Sequence, residues 1–354
     1  MNISRGLEGV VVDTTRISLV DGVNGVLSYR GSNVDNLVGK PFGHVASLVV
    51  DGECSAALSE SLHAACSLSE RETDLICALP ESTHPMHVLQ GITPLLDATE
   101  RFAERGEAAQ GFAIAAKLPT ILATFLLRRR PDASSVADPA ERFLRQIDAA
   151  DSAIGREAYN VTQILQIEHS FNASSFVARA TASTLAPVEN ALSAAFGTLH
   201  GRLHGGADAA ALETADRVGR PERAAAFVDD CLANKVKVMG MGHREYRVLD
   251  PRARYLKTLA ESLCSGTEHE VTYRTLVAIE ARFTERMAEK GKSLYANLEF
   301  YKGVIYRTLG LPSRFFTANF ALARVFGYLA HFIESREDNR LIRPTAHYVG
   351  PAVA

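Results

Sequence analysis

Two histidines lie four residues apart in a glycine-rich stretch near the middle of the chain. Residues 197–208 read Gly-Thr-Leu-His-Gly-Arg-Leu-His-Gly-Gly-Ala-Asp, which places these histidines at His200 and His204. Glycine is a poor helix former, so we expect a helix to end here. Gly205 and Gly206 have no Cβ, which predicts that a small molecule can approach the main chain beside His204. The alternative interpretation of either imidazole is a helix cap or a packed core group.

Three further stretches concentrate histidine, carboxylate, arginine and glycine, which are residue types that move protons and bind anions. They are Glu-His-Ser-Phe-Asn-Ala-Ser at 168–174, Gly-Met-Gly-His-Arg-Glu-Tyr-Arg-Val-Leu-Asp-Pro-Arg at 240–252, and Ala-Asn-Leu-Glu-Phe-Tyr at 296–301. A Gly-x-Gly turn that does not follow a strand is not a dinucleotide fingerprint, so each stretch alone is weak evidence.

A zinc site is the interpretation from another chemical class. His200 and His204 have the spacing of two ligands on one helical face, and Glu299 or Asp208 could supply a third. No glutamate follows His200, however, and the glycines argue against a rigid helical face. The sequence therefore predicts no metal ligands.

The elements that must position these groups are predicted to be mainly α-helical. Apolar residues recur at helical spacing along most of the chain, as at Val45 and Leu48, and prolines separate the segments. Alanine-rich stretches at 109–123 and 173–195 favour closely packed helices, because small side chains let helix axes approach. An apolar helix is predicted at 315–333.

A small antiparallel sheet is predicted within residues 7–30. Short β-branched runs, including residues 10–12, alternate there with Asp-Gly at 21–22 and Asn-Gly at 24–25. These dipeptides favour tight hairpin turns. We expect no other sheet of consequence.

The composition excludes some classes of partner. The 354 residues carry a net charge of -3, with 47% hydrophobic and 22% charged residues. This balance gives no electrostatic reason to expect nucleic acid or an anionic membrane. No run of about 18 apolar residues is evident, which predicts no membrane span. Scattered cysteines and an N-terminus without a signal-peptide core predict a cytoplasmic protein.

Together and in this order, the stretches resemble the citrate synthase family. Further matching segments are Gly-Leu-Glu-Gly-Val at 6–10, Gly-Val-Leu-Ser-Tyr-Arg-Gly at 25–31, His-Pro-Met at 84–86, Ala-Lys-Leu-Pro at 116–119 and Leu-Ile-Arg-Pro at 341–344. The resemblance thus covers nearly the whole chain. It implies a mainly α, citrate synthase-like fold with a short N-terminal β-hairpin region.

The resemblance also implies a homodimer of two-domain subunits. Residues 1–205 and 312–354 are predicted to form a large helical domain, and residues 206–311 a smaller inserted helical domain that binds coenzyme A. The implied reaction condenses acetyl-CoA with oxaloacetate and hydrolyses the thioester to citrate and CoA. The alternatives are 2-methylcitrate synthesis, another acyl-CoA and 2-oxo acid, or a non-catalytic paralogue that binds oxaloacetate or acyl-CoA. The coenzyme A thioester is a co-substrate, and no tightly bound cofactor is implied.

Three catalytic roles follow from the resemblance. Glu299 matches the carboxylate that removes a proton from the carbon next to the thioester. His204 matches the hydrogen-bond donor to the enolate oxygen, and His243 suits a donor to the ketone oxygen of the 2-oxo acid. So weak a carbon acid loses its proton only if the enolate oxygen is stabilised as it forms.

The binding roles also follow from matched positions. Substrate-binding positions fall on His169, Asn172, Arg252, Arg324 and Arg343, and coenzyme-binding positions on Met239, Gly240, Gly242 and Arg247. Guanidinium groups bind carboxylates and phosphates through a planar fork. Arg324 lies in an apolar stretch, where an unpaired buried charge costs several kcal/mol, and a structural ion pair is the alternative there. Arg343 resembles the family arginine that enters the partner subunit's site.

Several residues depart from the family pattern near the predicted site. Glu299 stands where the family has a catalytic aspartate, and its side chain reaches up to about 1.5 Å farther. Arg202 replaces a proline, Asp208 an asparagine and His87 an aspartate; a second proline is lost at Ala296. We interpret these changes as a site reshaped for a different acyl-CoA, or as a weakened or inactive paralogue.

Overall fold

The structure is a computed structural model that describes residues 3–97 and 103–351. Within them the fold is mainly α, as predicted, with fifteen α-helices and one three-stranded sheet. The helices are α1 Phe42–Asp51, α2 Ala57–Ala65, α3 Glu70–Ala78, α4 Pro85–Ile92, α5 Glu107–Leu127, α6 Pro139–Gln146, α7 Ala153–Gln166, α8 Ala173–Ala182, α9 Val188–Leu199, α10 Ala207–Val218, α11 Ala224–Ala233, α12 Ala253–Cys264, α13 Glu270–Ala288, α14 Glu299–Thr308 and α15 Phe316–Glu337.

The predicted hairpin is present near the N-terminus. Strands β1 (Ser18–Asp21) and β2 (Val26–Tyr29) pair antiparallel, and a short β3 (Ser32–Asn33) continues the sheet beyond β2. Asp21 stabilises the turn, because its carboxylate accepts the backbone N–H groups of residues 23 and 24 at 3.0 and 2.9 Å.

The expectation that residues 10–12 join this sheet is wrong. They lie exposed and outside any strand. A β-branched run forms a strand only where a partner strand and a packing surface are available.

Helices α5 and α15 form the centre of the large core. Both are buried over most of their length. They approach closely at Gly111, where a Cβ would lie 2.3 Å from Leu329 Cδ1. By length and composition alone, α5 is the one helix among the described residues that could cross a membrane. Most of its apolar window is buried inside the protein, as in a core helix.

The alanine-rich stretch at 173–195 forms two helices, α8 and α9, which pack against each other. The chain turns between them at Leu185, which has a φ of 64°, and Pro187 then precedes α9. Helix α9 ends at Leu199 and α10 begins at Ala207, so the predicted interruption of the helix in the glycine-rich stretch is confirmed.

The segment predicted as a small domain, residues 206–311, contributes helices α10 to α14. Helix α14 packs against α10 and α12 within this segment. Helices α12 and α14 also contact α7, which lies outside it. The domain boundaries at 205/206 and 311/312 stay predictions.

Candidate active site

The predicted chemical groups lie at the ends of several helices and in the loops between them. His204 follows α9, and His169 lies between α7 and α8. The long segment between α11 and α12 carries His243 and Arg252, while Glu299 is the first residue of α14. Electrostatic contacts join His169, His243, Arg252 and Arg324. The fold therefore brings together residues that are up to about 150 positions apart in sequence.

His204 lies beside the start of α8. Its Nε2 is 2.6 Å from Ser174 Oγ and accepts the Ser174 backbone N–H at 3.4 Å. A backbone N–H can only donate, so the proton of the neutral ring is assigned to Nδ1. Ser174 Oγ is itself fixed by the Tyr328 hydroxyl and by Asn172 Oδ1, both at 2.8 Å. The imidazole is therefore oriented with Nδ1 as its available donor.

Burial keeps His204 uncharged. The ring lies in a desolvated position near the Arg324 guanidinium, and both effects lower its pKa to about 4. At neutral pH His204 is thus a neutral hydrogen-bond donor, which suits stabilisation of an enolate oxygen.

The tautomer of His243 is also set by backbone groups. Its Nδ1 accepts the N–H groups of Glu245 and Tyr246 at 3.0 and 3.1 Å, which assigns the proton to Nε2. That Nε2 lies 3.2 Å from the NH2 group of Arg252. Burial, followed by the charge of Arg252, lowers the pKa of His243. Two donors therefore face one another, a geometry that is relieved when an oxygen beside the pair accepts a hydrogen bond from both.

His169 completes this side of the site. Its Nε2 is 3.3 Å from the Tyr246 hydroxyl, and its ring centroid is 5.5 Å from that of His243. Burial, followed by the charge of Arg252, lowers the pKa of His169 well below its usual value. His169 is therefore also neutral at physiological pH.

Arg252 is held by an aspartate that the sequence analysis did not assign. Asp250 accepts the Nε and NH2 groups of Arg252 at 2.9 Å each, and its Oδ2 also accepts the Leu298 N–H at 3.2 Å. Burial opposes the charge of Arg252, but Asp250 outweighs it, and the pKa of Arg252 is raised. Asp250 thus fixes Arg252 relative to the start of α14.

Arg324 is a buried cation with little charge compensation. Its side chain is 2% exposed, its Nε donates to the Gln166 carbonyl at 2.6 Å, and it lies 4.6 Å from the Phe320 ring centroid. None of the ion pairs between described residues includes Arg324, so the structural ion-pair alternative is not supported. Burial lowers the pKa of Arg324. A buried guanidinium in this state favours a bound anion.

Glu299 begins α14 in a half-buried position. Its backbone N–H donates to Asn297 Oδ1 at 3.0 Å, which gives the first N–H of the helix a hydrogen-bond acceptor. Its carboxylate acts electrostatically on both His243 and Arg252. The predicted base therefore lies beside the two donors.

The glycine turn predicted to bind coenzyme A is hydrogen-bonded to the segment that precedes Glu299. Gly242 N–H donates to the Tyr295 carbonyl at 2.7 Å, and the Asn297 N–H donates to the Gly240 carbonyl at 2.9 Å. Gly240 has a φ of 79°, and a Cβ there would lie 2.7 Å from Phe300 Cδ2, so glycine is required. The neighbouring Met239 is half-buried.

Two predicted binding residues are not fixed in a binding position. Arg247 has an exposed side chain, and its backbone N–H donates to the Gly22 carbonyl at 2.8 Å. Arg343 lies exposed in the extended segment after α15, with no other site residue among its contacts in the described residues. A role for Arg343 in the partner subunit's site stays a prediction.

Asn172 caps a helix beside His204, and its predicted substrate contact stays a prediction. Its Oδ1 caps α8 by accepting the N–H groups of Ser174 and Ser175 at 3.2 and 3.1 Å. Its Nδ2 donates to Ser175 Oγ at 2.9 Å. These bonds use the polar atoms of Asn172, and they hold Ser174 against His204.

The glycines beside His204 also differ from expectation. A Cβ at Gly205 would lie 2.4 Å from the Leu199 carbonyl oxygen and 2.7 Å from Thr317 Cγ2. Packing therefore requires this glycine, which corrects the expectation that it leaves room for a ligand. Gly206 has a φ of 88° and more open surroundings.

The zinc interpretation is not supported. The His200 ring stacks on His84 with centroids 4.2 Å apart and contacts His87 at 4.8 Å, whereas His204 faces Ser174. Among residues 3–97 and 103–351, no group of three or more histidine, cysteine or acidic side chains could hold a metal ion. His200 is a packing residue at the end of α9.

Comparisons with known proteins identify the family of the chain. Residues 6–345 match the family model described as citrate synthase, C-terminal domain. A citrate synthase from Synechocystis sp. is 36% identical over 98% of this chain and 90% of that protein. A 2-methylcitrate synthase from Shewanella oneidensis is 34% identical over 98% of this chain and 94% of that protein.

A solved structure shares the fold. It is the ternary complex of a citrate synthase from the archaeon Thermoplasma acidophilum with carboxymethyl coenzyme A and oxaloacetate. It aligns with a TM-score of 0.87 and 28% sequence identity, covering 100% of this chain and 97% of that chain. The chain belongs to the citrate synthase family.

Proposed function

We propose that this protein condenses acetyl-CoA with oxaloacetate and then hydrolyses the thioester, which releases citrate and free CoA. The observation that carries the proposal is the pair of donors formed by His243 Nε2 and Arg252, which lie 3.2 Å apart beside the poorly compensated Arg324. A dicarboxylate with a ketone oxygen matches this arrangement of one neutral donor and two guanidinium groups.

Binding of oxaloacetate comes first in the proposed mechanism. Its carboxylates pair with Arg252, Arg324 and the partner subunit's Arg343, and His169 donates a hydrogen bond to it. The ketone oxygen accepts a hydrogen bond from Nε2–H of His243. This hydrogen bond withdraws electron density from the ketone carbon. Homodimerisation is then required for a complete site.

Carbon–carbon bond formation uses the other two catalytic groups. Glu299 takes a proton from the thioester α-carbon while Nδ1–H of His204 stabilises the enolate oxygen. The α-carbon then attacks the ketone carbon, and the ketone oxygen takes the Nε2 proton of His243 and becomes a hydroxyl. The proton held by Glu299 then restores His243 through solvent. Water next adds to the thioester carbonyl, and CoA leaves as the thiol.

Coenzyme A is proposed to bind at the turn formed by Met239, Gly240 and Gly242. Main-chain groups of the turn face the adenine or pantetheine portion, and the exposed Arg247 pairs with a phosphate. The segment 206–311 closes over both substrates as a smaller domain, which excludes water during condensation. We propose a cytoplasmic location for this reaction.

A second candidate is 2-methylcitrate synthesis from propionyl-CoA. It is supported by the 34% identity to a 2-methylcitrate synthase and by the longer side chain of Glu299 at the base position. A non-catalytic binder of oxaloacetate or acyl-CoA is the third.

Release of free thiol separates the three candidates. Purified protein is mixed with oxaloacetate and, in turn, acetyl-CoA, propionyl-CoA and butyryl-CoA, and thiol is measured over time. Fastest release from acetyl-CoA supports the main proposal, and fastest release from propionyl-CoA supports the second. Tight oxaloacetate binding without thiol release from any donor supports the binder and contradicts both enzymatic proposals.

A further inference from the structure

Lys302 is an ammonium group buried directly behind the candidate active site. It lies one helical turn after Glu299 in α14, and its side chain is 0% exposed. Its Nζ is 3.2 Å from Asp208 Oδ2 and donates to Gln166 Oε1 at 3.3 Å. The three residues belong to α14, α10 and α7, so one ammonium joins three helices.

Each of these helices supports a different functional group. Helix α14 starts at Glu299, the proposed base. Asp208 lies in the first turn of α10, directly after the loop that carries His204. Gln166 ends α7, and its carbonyl oxygen holds Arg324 Nε at 2.6 Å. The contacts of Lys302 therefore meet where the base, the enolate-oxygen donor and the carboxylate-binding arginine are anchored.

Lys302 and Arg324 also share an aromatic ring. Lys302 Nζ lies 4.2 Å from the Phe320 ring centroid, and the Arg324 guanidinium carbon lies 4.6 Å from the same centroid. The ring attracts both cations through its electron-rich faces. Any movement of Lys302 is therefore transmitted to Arg324 through Phe320 as well as through Gln166.

The ion pair between Lys302 and Asp208 joins α14 to α10. Asp208 is 1% exposed, and none of the hydrogen bonds between described residues ends on its Oδ2. The two helices are also in close contact beside the pair, because a Cβ at Gly303 would lie 2.6 Å from the Asp208 carbonyl oxygen. Removing one partner would leave the other as an uncompensated buried charge.

We infer that Lys302, paired with Asp208, is a positioning residue that sets the distance between Glu299, His204 and Arg324. The inference rests on the proposed function, since it names these three groups as the ones that must be aligned. A buried ion pair is poor evidence for stabilisation but can fix a unique arrangement of the elements that it joins. Small errors in such alignment are costly, about a hundredfold in rate for about 1 Å.

The test uses the double substitution Asp208→Asn with Lys302→Met, which removes both charges and keeps similar volumes. The matched control is Glu72→Gln with Lys117→Met. This second buried pair joins α3 and α5, with Lys117 Nζ 2.7 Å from Glu72 Oε2, and contacts none of the proposed site residues within the described chain. Both double variants are compared with the parent for kcat, KM for oxaloacetate and Tm.

We expect the Asp208/Lys302 double variant to lose about tenfold in kcat and to raise KM for oxaloacetate about tenfold. The control should lower Tm but keep both kinetic constants within about twofold of the parent. If the Asp208/Lys302 variant also keeps both constants within about twofold, the pair is only structural and the inference is wrong.

Two further measurements keep the inference testable if the parent releases no thiol. They are the Kd for oxaloacetate by calorimetry and a crystal structure of the Asp208/Lys302 double variant. A displaced Arg324 or α14 start, or weaker oxaloacetate binding, supports the positioning role. The inference is wrong if Arg324 and Glu299 superimpose in the parent and the variant and the Kd for oxaloacetate is unchanged. Absence of thiol release from the parent contradicts only the proposed reaction.

Discussion

Asp250 binds Arg252 through two hydrogen bonds of 2.9 Å, so the cation proposed to hold oxaloacetate is itself held by a buried carboxylate. The same carboxylate accepts the Leu298 N–H, one residue before Glu299. One side chain thus fixes both the substrate-binding arginine and the start of the helix that carries the base.

Asp250→Asn should destabilise the protein and weaken oxaloacetate binding. The substitution leaves Arg252 buried without its carboxylate, which we expect to lower the free energy of unfolding by about 3 kcal/mol. Asp216→Asn is the control, because Asp216 binds Arg307 in a similar two-bond geometry with both side chains partly exposed. The control should cost less than about 1 kcal/mol. Urea unfolding and oxaloacetate calorimetry measure both effects, and equal losses in the two variants would contradict the prediction.

Glu299→Gln should abolish turnover and leave oxaloacetate affinity nearly unchanged. The amide cannot accept the α-proton, so we expect kcat to fall by at least about a hundredfold. Because the side chain keeps its size, Arg252 and Arg324 remain available for the substrate. Thiol release and calorimetry on the same preparation measure the two quantities. Near-parent turnover in the Gln variant would show that another group is the base.

Glu299→Asp tests whether the longer side chain has been selected for a particular acyl donor. The shorter side chain withdraws the carboxylate by up to about 1.5 Å. If the site is adapted to Glu299, we expect kcat with the preferred acyl-CoA to fall about tenfold or more. The ratio of kcat/KM for acetyl-CoA and propionyl-CoA, measured for parent and variant, is the readout. A gain with acetyl-CoA would instead show that the glutamate serves a different donor.

Ser174→Ala should slow turnover without a change in oxaloacetate affinity. Ser174 Oγ lies 2.6 Å from His204 Nε2, and its loss frees the imidazole to rotate away from the enolate oxygen. We expect kcat to fall about tenfold and the free energy of unfolding by about 1 kcal/mol. Ser193→Ala is the control, since Ser193 Oγ donates to the Gln90 carbonyl at 2.8 Å. A similar fall in kcat for both variants would contradict an orienting role.

The parts of the fold and site that sequence predicts well are those coded locally. Turn dipeptides predicted the β1–β2 hairpin, and glycines predicted the interruption of the helix around His204; both are confirmed. Family membership, inferred from the order of short motifs, is also confirmed. Residues 10–12 were misplaced because strand formation depends on a partner that local pattern does not reveal.

The supporting residues could not be predicted because their partners are distant in sequence. Gln166 contacts Arg324 through its backbone carbonyl, which any residue type provides, so no sequence signal marks it. In the sequence Lys302 resembles an ordinary exposed lysine in a helix. The structure shows that it is buried and paired with Asp208. Asp250 was visible in the Asp-Pro-Arg motif, and its spacing of two from Arg252 could have suggested the pair.

Stability should decrease at mildly acidic pH in a way that depends on His204. Burial and then Arg324 lower the pKa of folded His204 to about 4, whereas an unfolded histidine titrates near 6.5. Between these values the unfolded state binds the extra proton. The stabilisation that neutral His204 gives to the folded state is therefore complete above pH 6.5. It is lost as the pH falls toward 4.

His204→Gln should reduce this pH dependence. From pH 7.5 to pH 5 the parent should lose roughly 2 kcal/mol more free energy of unfolding than the variant, because glutamine does not titrate. His347→Gln is the control, since His347 is exposed in the C-terminal segment, and it should behave as the parent. Urea unfolding at the two pH values gives the difference. Identical pH dependence in the parent and His204→Gln would mean that folded His204 is not held neutral, and the proposed neutral donor to the enolate oxygen would then be wrong.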